Sequence, residues 1–262
     1  MTAANRPLAL VTGASSGIGA DLARELARDG HDLILAARSV ESMHALAEEL
    51  KGNGATCTVL AADLSEPEAT ARLASEIEAR GLVIDVLINN AGLGANGPFH
   101  DSDLTRIREM VLVNVLALTE LTRLLLPGMV SRRRGRIMLV GSTAGFQPGP
   151  YMAVYCATKA YALSFGESLA WELRGTGVTV TVLCPGATAT NFSHTAQADN
   201  TPLFSLTPVM SSAEVARTGY LGMKAGRAVV VTGLVNRLLG LGGRYMPRFM
   251  SLPISEFLMR SK

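Results

Sequence analysis

Tyr155 and Lys159 stand four residues apart in Tyr155-Cys156-Ala157-Thr158-Lys159, a spacing that stacks two side chains on one face of a helix. An ammonium beside a phenol favours the phenolate. Lys159 is therefore expected to draw the Tyr155 pKa below its usual ~10 and to suit it to proton transfer near neutral pH. Tyrosine and lysine one turn apart also occur on ordinary helices, so the pair takes its meaning from its company. Ser142 follows the apolar run Ile137 to Val140, at the C-terminal end of an expected strand, where open α/β sheets bind ligands. Tyr151 and Tyr161 compete for the role of acid, but neither has a lysine four positions later; they read as pocket wall and helix packing.

Near the N-terminus, Thr12-Gly13-Ala14-Ser15-Ser16-Gly17-Ile18-Gly19 joins the apolar run Leu8 to Val11 to a helical pattern through Leu22, Leu26 and Ala27. Backbone N–H groups and the helix dipole at such a junction favour a pyrophosphate, and glycines let the backbone approach it. The spacing Gly-x-x-x-Gly-x-Gly departs from Gly-x-Gly-x-x-Gly and alone would also fit a tight turn without ligand; its place at the first strand–helix junction makes it a dinucleotide loop. About 20 residues on, where an NAD enzyme places a carboxylate on the ribose, the second strand ends Ala36-Ala37-Arg38-Ser39. A guanidinium can pair with the 2′-phosphate of NADPH and stack on adenine, so Arg38 points to NADPH. The plainer reading of Arg38 is a surface arginine at a helix entrance.

Apolar runs at Leu33 to Leu35, Thr58 to Leu60, Val86 to Ile88, Ile137 to Val140, Val178 to Leu183 and Ala228 to Val231 alternate with helical stretches. The longest of these run from Leu104 to Val130 and from Met152 to Arg174; the last, Ser211 to Lys224, opens on a capping-box signature. Such alternation predicts an α/β fold, a single doubly wound domain over 1–262 with seven parallel strands and helices on both faces. With 48% hydrophobic and 18% charged residues the chain can build a large core. A net charge of +2 leaves the run Arg132, Arg133, Arg134, Arg136 as a local feature, read as a helix C-terminus and not as a nucleic-acid footprint. Cys57, Cys156 and Cys184 form no CxxC, and His31, His44, His100 and His194 show no ligand spacing, so no metal is expected. The start of the chain lacks a signal-peptide pattern and no uninterrupted apolar stretch reaches the ~20 residues of a membrane span. A reducing, cytoplasmic setting is the expectation.

Taken together, these segments resemble the short-chain dehydrogenase/reductase family over nearly the whole chain to about Val231. The glycine segment is similar to the family's cofactor motif, with Gly13, Ser15, Ser16, Gly17, Ile18 and Gly19 as its contacts. The resemblance implies that Asp63-Leu64 touches the adenine, and that Asn90, Ala91 and Gly92 in Asn89-Asn90-Ala91-Gly92 approach the adenosine. Pro185, Gly186, Thr188 and Thr190 would lie beside the nicotinamide. Asn114, Ser142, Tyr155 and Lys159 match the catalytic tetrad in order and spacing. The resemblance implies a Rossmann-type sheet of order 3-2-1-4-5-6-7 and carbonyl reduction in which Tyr155 donates the proton. Ser142 would hold the carbonyl oxygen, Lys159 the nicotinamide ribose, and Asn114 a water relaying protons to Lys159. Within the apolar stretch Val111 to Val115, an amide capping a helix bend is the plainer reading of Asn114. The family also implies a homodimer or homotetramer through the helices Leu104 to Val130 and Met152 to Arg174.

The stretch 187–212 lacks clear periodicity and contains Asn200, Pro202 and Pro208, so it is expected to be a lid over a hydrophobic ketone, aldehyde or 3-oxoacyl-type substrate. Phe192, Leu203, Phe204 and Leu206 would form its underside, and His194 is a weaker candidate for substrate contact. In the tail, 234–262, Leu234, Leu238, Leu241 and Tyr245 share a helical face, punctuated by Arg237, Arg244, Arg248 and Arg260. A basic amphipathic segment on a membrane surface is one reading; a tail packed on its own cleft or a neighbouring subunit is preferred, because Gly240, Gly242, Gly243 and Pro247 weaken a long interfacial helix. Two other functions fit the scaffold. A cofactor-sensing protein without turnover would have no need of Tyr155 or Lys159, and an isomerase or dehydratase would carry a larger substrate domain.

Overall fold

In the computed structural model, which describes residues 6–260, the side chains of Phe204 and Leu241 excepted, the alternation becomes a seven-stranded parallel sheet. Its strands are β1 (Leu8–Thr12), β2 (Asp32–Ala37), β3 (Cys57–Ala61), β4 (Ile84–Asn89), β5 (Gly135–Val140) and β6 (Val178–Cys184), closed by β9 (Val229–Val231). They lie in the order β3-β2-β1-β4-β5-β6-β9, so β9 takes the seventh place of the expected order. Strands covered on both faces read as unbroken apolar runs, and here successive residues serve opposite layers. Val11, Leu33 and Leu35 pack with Leu22 and Leu26 of α1 (Gly17–Arg28), Met43 of α2 (Val40–Lys51) and Val215 of α9 (Ser212–Lys224). Leu10, Ile34 and Leu87 face the other layer, with Leu73 of α3 (Ala69–Ala79), Leu121 of α5 (Leu118–Ser131) and Ala162 of α6 (Ala153–Glu172). β1 sits between β2 and β4, so the strand order reverses there and opens a crevice at the C-terminal ends of the strands.

The stretch expected as one helix from Leu104 to Val130 is interrupted. α4 (Leu104–Val111) is followed by a π-wound segment, Leu112–Ala117, before α5 begins. From Leu104 to Ser131 the chain is helical, long and apolar enough to cross a bilayer, yet Val113, Ala117, Leu118, Leu121 and Met129 are buried against the sheet. The apolarity of this helix thus builds the core. The arginine run beyond it fastens neighbouring elements: Arg132 donates to the Ile84 carbonyl (2.9 Å), Arg133 to that of Gly175 (3.1 Å), and Arg134 pairs with Asp85 (3.3 Å).

The segment 187–212, expected to be aperiodic, carries two short helices, α7 (Phe192–Thr195) and α8 (Pro202–Leu206). It is pinned by a two-strand parallel ladder of β7 (Thr188–Ala189) and β8 (Met210–Ser211). Helices of one turn are too short to write a period into the sequence, and Pro202 opens α8 at the position where a missing N–H costs nothing. The expected capping box is formed, Glu214 N donating to Ser211 Oγ (3.2 Å) and Ser211 N to Glu214 Oε2 (3.0 Å). The tail folds as α10 (Leu234–Tyr245) and α11 (Arg248–Met259), separated at Pro247.

Candidate active site

The β1–α1 loop is built to be approached. Gly13 and Gly17 adopt φ of 63° and 54°, a conformation costly for any residue with a Cβ. Thr12 Oγ1 accepts from the N–H groups of Asn90 (3.0 Å) and Ala91 (3.1 Å), and the Asn90 amide donates to the carbonyls of Thr12 (2.9 Å) and Gly13 (3.1 Å). These bonds hold the loop against the end of β4. A Cβ at Gly19 would collide with the Gly13 carbonyl and the Asn90 amide. Gly19 therefore lies behind the loop, while Gly13, Ser15, Ser16, Gly17 and Ile18 face the cavity. Ser16 makes no side-chain cap and the first turn of α1 holds no acid, so the positive end of the helix is left for an anion.

Arg38, at the C-terminal end of β2, is exposed, with its guanidinium 4.0 Å from Asp63. Burial alone would push the Asp63 carboxyl up. Hydrogen bonds from Ser65 Oγ (2.6 Å) and N (3.0 Å), with Arg38 alongside, outweigh that and hold it below the ordinary carboxylate value. Arg38, Asp63, Leu64, Asn90, Ala91, Gly92, Thr188 and Thr190 line the cavity, Thr190 against Gly17, and Pro185 and Gly186 line it on the side of Ser142.

At that side Tyr155 and Lys159, both buried on α6, line the same cavity as Ser142. Ser142 Oγ accepts from Ala144 N (3.1 Å) as the cap of a short 3₁₀ turn and donates to the Pro185 carbonyl (3.5 Å). The Tyr155 ring leans on Phe192 of α7, centroids 5.4 Å apart. The expectation that Lys159 depresses the Tyr155 pKa is overturned. Burial dominates and pushes the phenol up, the neighbouring Ser142 hydroxyl opposing it in part. Lys159 is itself desolvated, its pKa pulled down to about 8, and its Nζ donates to the Val140 carbonyl (2.8 Å) while lying 5.8 Å from the tyrosine ring centroid.

That shift has a measurable sign. An unfolded lysine titrates near its ordinary 10.5, so from pH 8 to 10.5 the unfolded chain holds the extra proton and this group's contribution to stability rises with pH. Relative to the wild type, Lys159→Met should be favoured most at pH 7, with the difference closing as the pH approaches 10.5. Urea unfolding of the ligand-free proteins at several pH values measures it; a difference independent of pH would mean that the amine is solvated.

Asn114 sits in the π-wound segment and does not line the cavity. Its Oδ1 accepts from Leu93 N (2.8 Å), and its Nδ2 donates to the Leu93 carbonyl (2.9 Å) and to Thr158 Oγ1 (3.0 Å). The amide thus ties the β4 loop to α6 one residue before Lys159. A Cβ at Gly92 would lie 3.3 Å from Lys159 Nζ and 3.5 Å from Asn114 Oδ1, so glycine keeps the space between those two groups open.

Tyr151 adopts a φ of 65° and lines a separate small pocket with Asn96 and Phe99. The Tyr161 hydroxyl lies 2.9 Å from Thr119 Oγ1, away from the cavity. His194 is on α7, but Phe192 and Thr195 are the residues of that helix that reach the cavity. Among the described residues no cluster could hold a metal ion. Motif reading passed over Asn236, Leu239 and Met259, which come to the cavity from the tail helices; no motif marks them, and the helical face evident there gives no sign of which side turns inward.

The cavity measures about 1090 Å³, more than the ~300–1,000 Å³ of a pocket for one drug-sized ligand, and joins the glycine loop to Tyr155 without a break. A family model for short-chain dehydrogenases matches residues 7–201. A ketoacyl reductase, HetN, of Nostoc sp. is 36% identical over 186 residues, 71% of this chain and 65% of its own length; the match thus falls just short of two thirds of that relative. A short-chain dehydrogenase of Sphingobium yanoikuyae solved in complex with NADPH superposes with a TM-score of 0.80 at 34% identity, over 94% of this chain and 95% of the other. The bulky-bulky ketone specific alcohol dehydrogenase of Comamonas testosteroni superposes with a TM-score of 0.77 at 32% identity, over 93% and 100%.

Proposed function

Because the chain belongs to the short-chain dehydrogenase/reductase family, we propose that it is an NADPH-dependent oxidoreductase that reduces the carbonyl of a hydrophobic ketone, aldehyde or 3-oxoacyl-type compound, reversibly, to an alcohol. The observation that carries this reading is the single cavity lined by the Gly13–Gly17 loop at one end and by Ser142, Tyr155 and Lys159 at the other. The uncompensated N-terminus of α1 suits the pyrophosphate, and Arg38 suits the 2′-phosphate. Asp63, Leu64 and the Asn90–Gly92 turn would hold the adenosine, and Pro185, Gly186, Thr188 and Thr190 the nicotinamide end. When bound, the cofactor supplies the hydride for the carbonyl carbon.

Tyr155, held in its protonated form by burial, donates its proton to the carbonyl oxygen, and the Ser142 hydroxyl hydrogen-bonds that oxygen as charge develops on it. Lys159 spends one of its three N–H donors on Val140, which leaves two for the ribose and for restoring the Tyr155 proton. Asn114 positions Leu93 and Thr158, and through them the loop and helix on which the other three stand. Met152, Phe192, Leu203, Leu238 and Met259 give the substrate end an apolar lining, fitted to a bulky apolar substrate. Exposed Leu116, Leu124, Tyr161 and Trp171 on the two long helices suit association into a homodimer or homotetramer. The three free thiols suit a cytoplasmic setting. A panel of bulky ketones and 3-oxoacyl thioesters, assayed by NADPH and NADH oxidation, tests the proposal: turnover of apolar members with NADPH is expected, and no turnover across the panel would end it.

A further inference from the structure

α10 and α11 present opposite characters on their two sides. The side of α10 that meets the body of the protein is small or polar: a Cβ at Gly240 would come within 3.2 Å of the Phe146 ring, Gly243 packs on Gln147, and buried Asn236 donates to the Thr232 carbonyl (2.8 Å). On α11 the buried residues are Ser251, Ser255 and Met259. The outward sides carry Leu234, Leu238 and Tyr245 on α10, and Phe249, Met250 and Phe257 on α11; Tyr245 and Phe249 keep 76% and 78% of their surface exposed. Glycines bring the helix close to the body, and the leucine stripe is what remains outside. So many large apolar side chains on two consecutive helices exceed the scattered surface leucines of a soluble monomer.

Two further observations say what covers this face. Between 234 and 260 the charged residues are Arg237, Arg244, Arg248 and Arg260 against the lone acid Glu256, all exposed, and Arg244 spends its charge on Glu167 (3.1 Å). At 100° per residue, Arg237 and Arg244 lie on one flank of the stripe Leu234, Leu238, Tyr245. Moreover, Val235, Leu238, Leu239 and Ile254 are exposed and also line the cavity, so the mouth of the cavity opens among the outward apolar residues. We propose that the α10–α11 face docks on an anionic lipid surface, and that a hydrophobic carbonyl substrate passes from the lipid into the cavity through that mouth. The docking stands on the face alone; the passage of substrate rests on the reductase reading above. A second copy of the chain is the poorer occupant, since a copy of this face brings more arginines with Glu256 as the lone acid between 234 and 260, whereas anionic headgroups supply the complementary charge.

Flotation of the full chain on vesicles tests it, with phosphatidylcholine alone or mixed with phosphatidylglycerol. The wild type should float with the mixed vesicles, and the bound fraction should fall several-fold on pure phosphatidylcholine or in salt of about 0.5 M, as expected for screened headgroup attraction. The triple variant Leu234→Glu/Phe249→Glu/Phe257→Glu should stay unbound. None of these three side chains lines the cavity, so NADPH oxidation with a water-soluble ketone should persist and report that the variant is folded. Arg237→Glu/Arg248→Glu gives a second route, weakening flotation without touching the apolar stripe. Wild type that fails to float, or a triple variant that floats equally, overturns the docking. Lipid-free self-association of the wild type that the triple variant abolishes overturns it in favour of a second copy. Flotation together with inactivity on every ketone keeps the docking and removes the reductase.

Discussion

Tyr155→Phe should lower kcat for ketone reduction by about 100- to 10,000-fold, the range general acid catalysis supplies, while NADPH binding and thermal stability change little. The ring is buried and packs against Phe192; phenylalanine keeps that packing and removes the hydroxyl alone. Burial holds the Tyr155 proton in place well above neutral pH, so the acid needed for reduction is present throughout the working range. The reverse oxidation needs the phenolate and should speed up as the pH rises. Steady-state rates in both directions, with NADPH titrated by fluorescence, check the three statements together, and an unchanged kcat would remove Tyr155 from the role of acid.

Arg38→Asp should reverse the choice of cofactor. A charge-assisted contact to the 2′-phosphate is worth about 1.5–3 kcal/mol, which at 1.36 kcal/mol per decade is about 10- to 150-fold in kcat/KM for NADPH. The new carboxylate adds repulsion against that phosphate and offers NADH an acceptor for its ribose hydroxyl. Arg38 is exposed and, among the described residues, its ion pair is the long contact with Asp63 at 4.0 Å, so the substitution should leave stability within about 0.5 kcal/mol of wild type, as surface changes do. The ratio of kcat/KM for NADPH to that for NADH is the measurement; a ratio that does not move would assign the phosphate to other groups.

The sheet was legible because its central strands are buried on both faces and so read as uninterrupted apolar runs, as in Leu33 to Leu35 or Val86 to Ile88. The site was legible for a related reason: glycines at a strand end and a Tyr/Lys pair one turn apart are local patterns, and the parallel topology brings strand ends together. What sequence could not carry was burial. Lys159 next to Tyr155 suggests a lowered phenol pKa, yet desolvation, which depends on everything packed above the pair, pushes it the other way. The π winding around Asn114 was not legible, because its neighbours Val111, Leu112, Val113 and Val115 suit an α or a π turn alike; the amide suggested a bend and not its kind. In the tail, periodicity finds Leu234, Leu238 and Tyr245 on one side, but which side faces the body is decided by the close approach of Gly240 and Gly243 to Phe146 and Gln147.

The π-wound segment at Leu112–Ala117 also limits how this protein can change its length. A π turn spends more residues than an α turn does, so the surplus can be lost without shortening the helix by a whole turn. Deleting one residue there would return the wide turn to α winding with its flanks still in register, whereas a deletion within α4 or α5 would, at 3.6 residues per turn, rotate one flank of the helix by about 100° against the other. Upstream, Met110 would leave its buried place; downstream, Leu121 would swing off the sheet and Thr122 away from Asn89, whose amide it accepts at 3.0 Å. Single-residue deletions should therefore be borne better between 112 and 117 than in the α-wound turns on either side, and the turn at Glu66–Glu68, outside the sheet, can absorb them too. Among descendants of this sequence the helix should lose a residue at the π-wound segment before it loses one in α4 or α5.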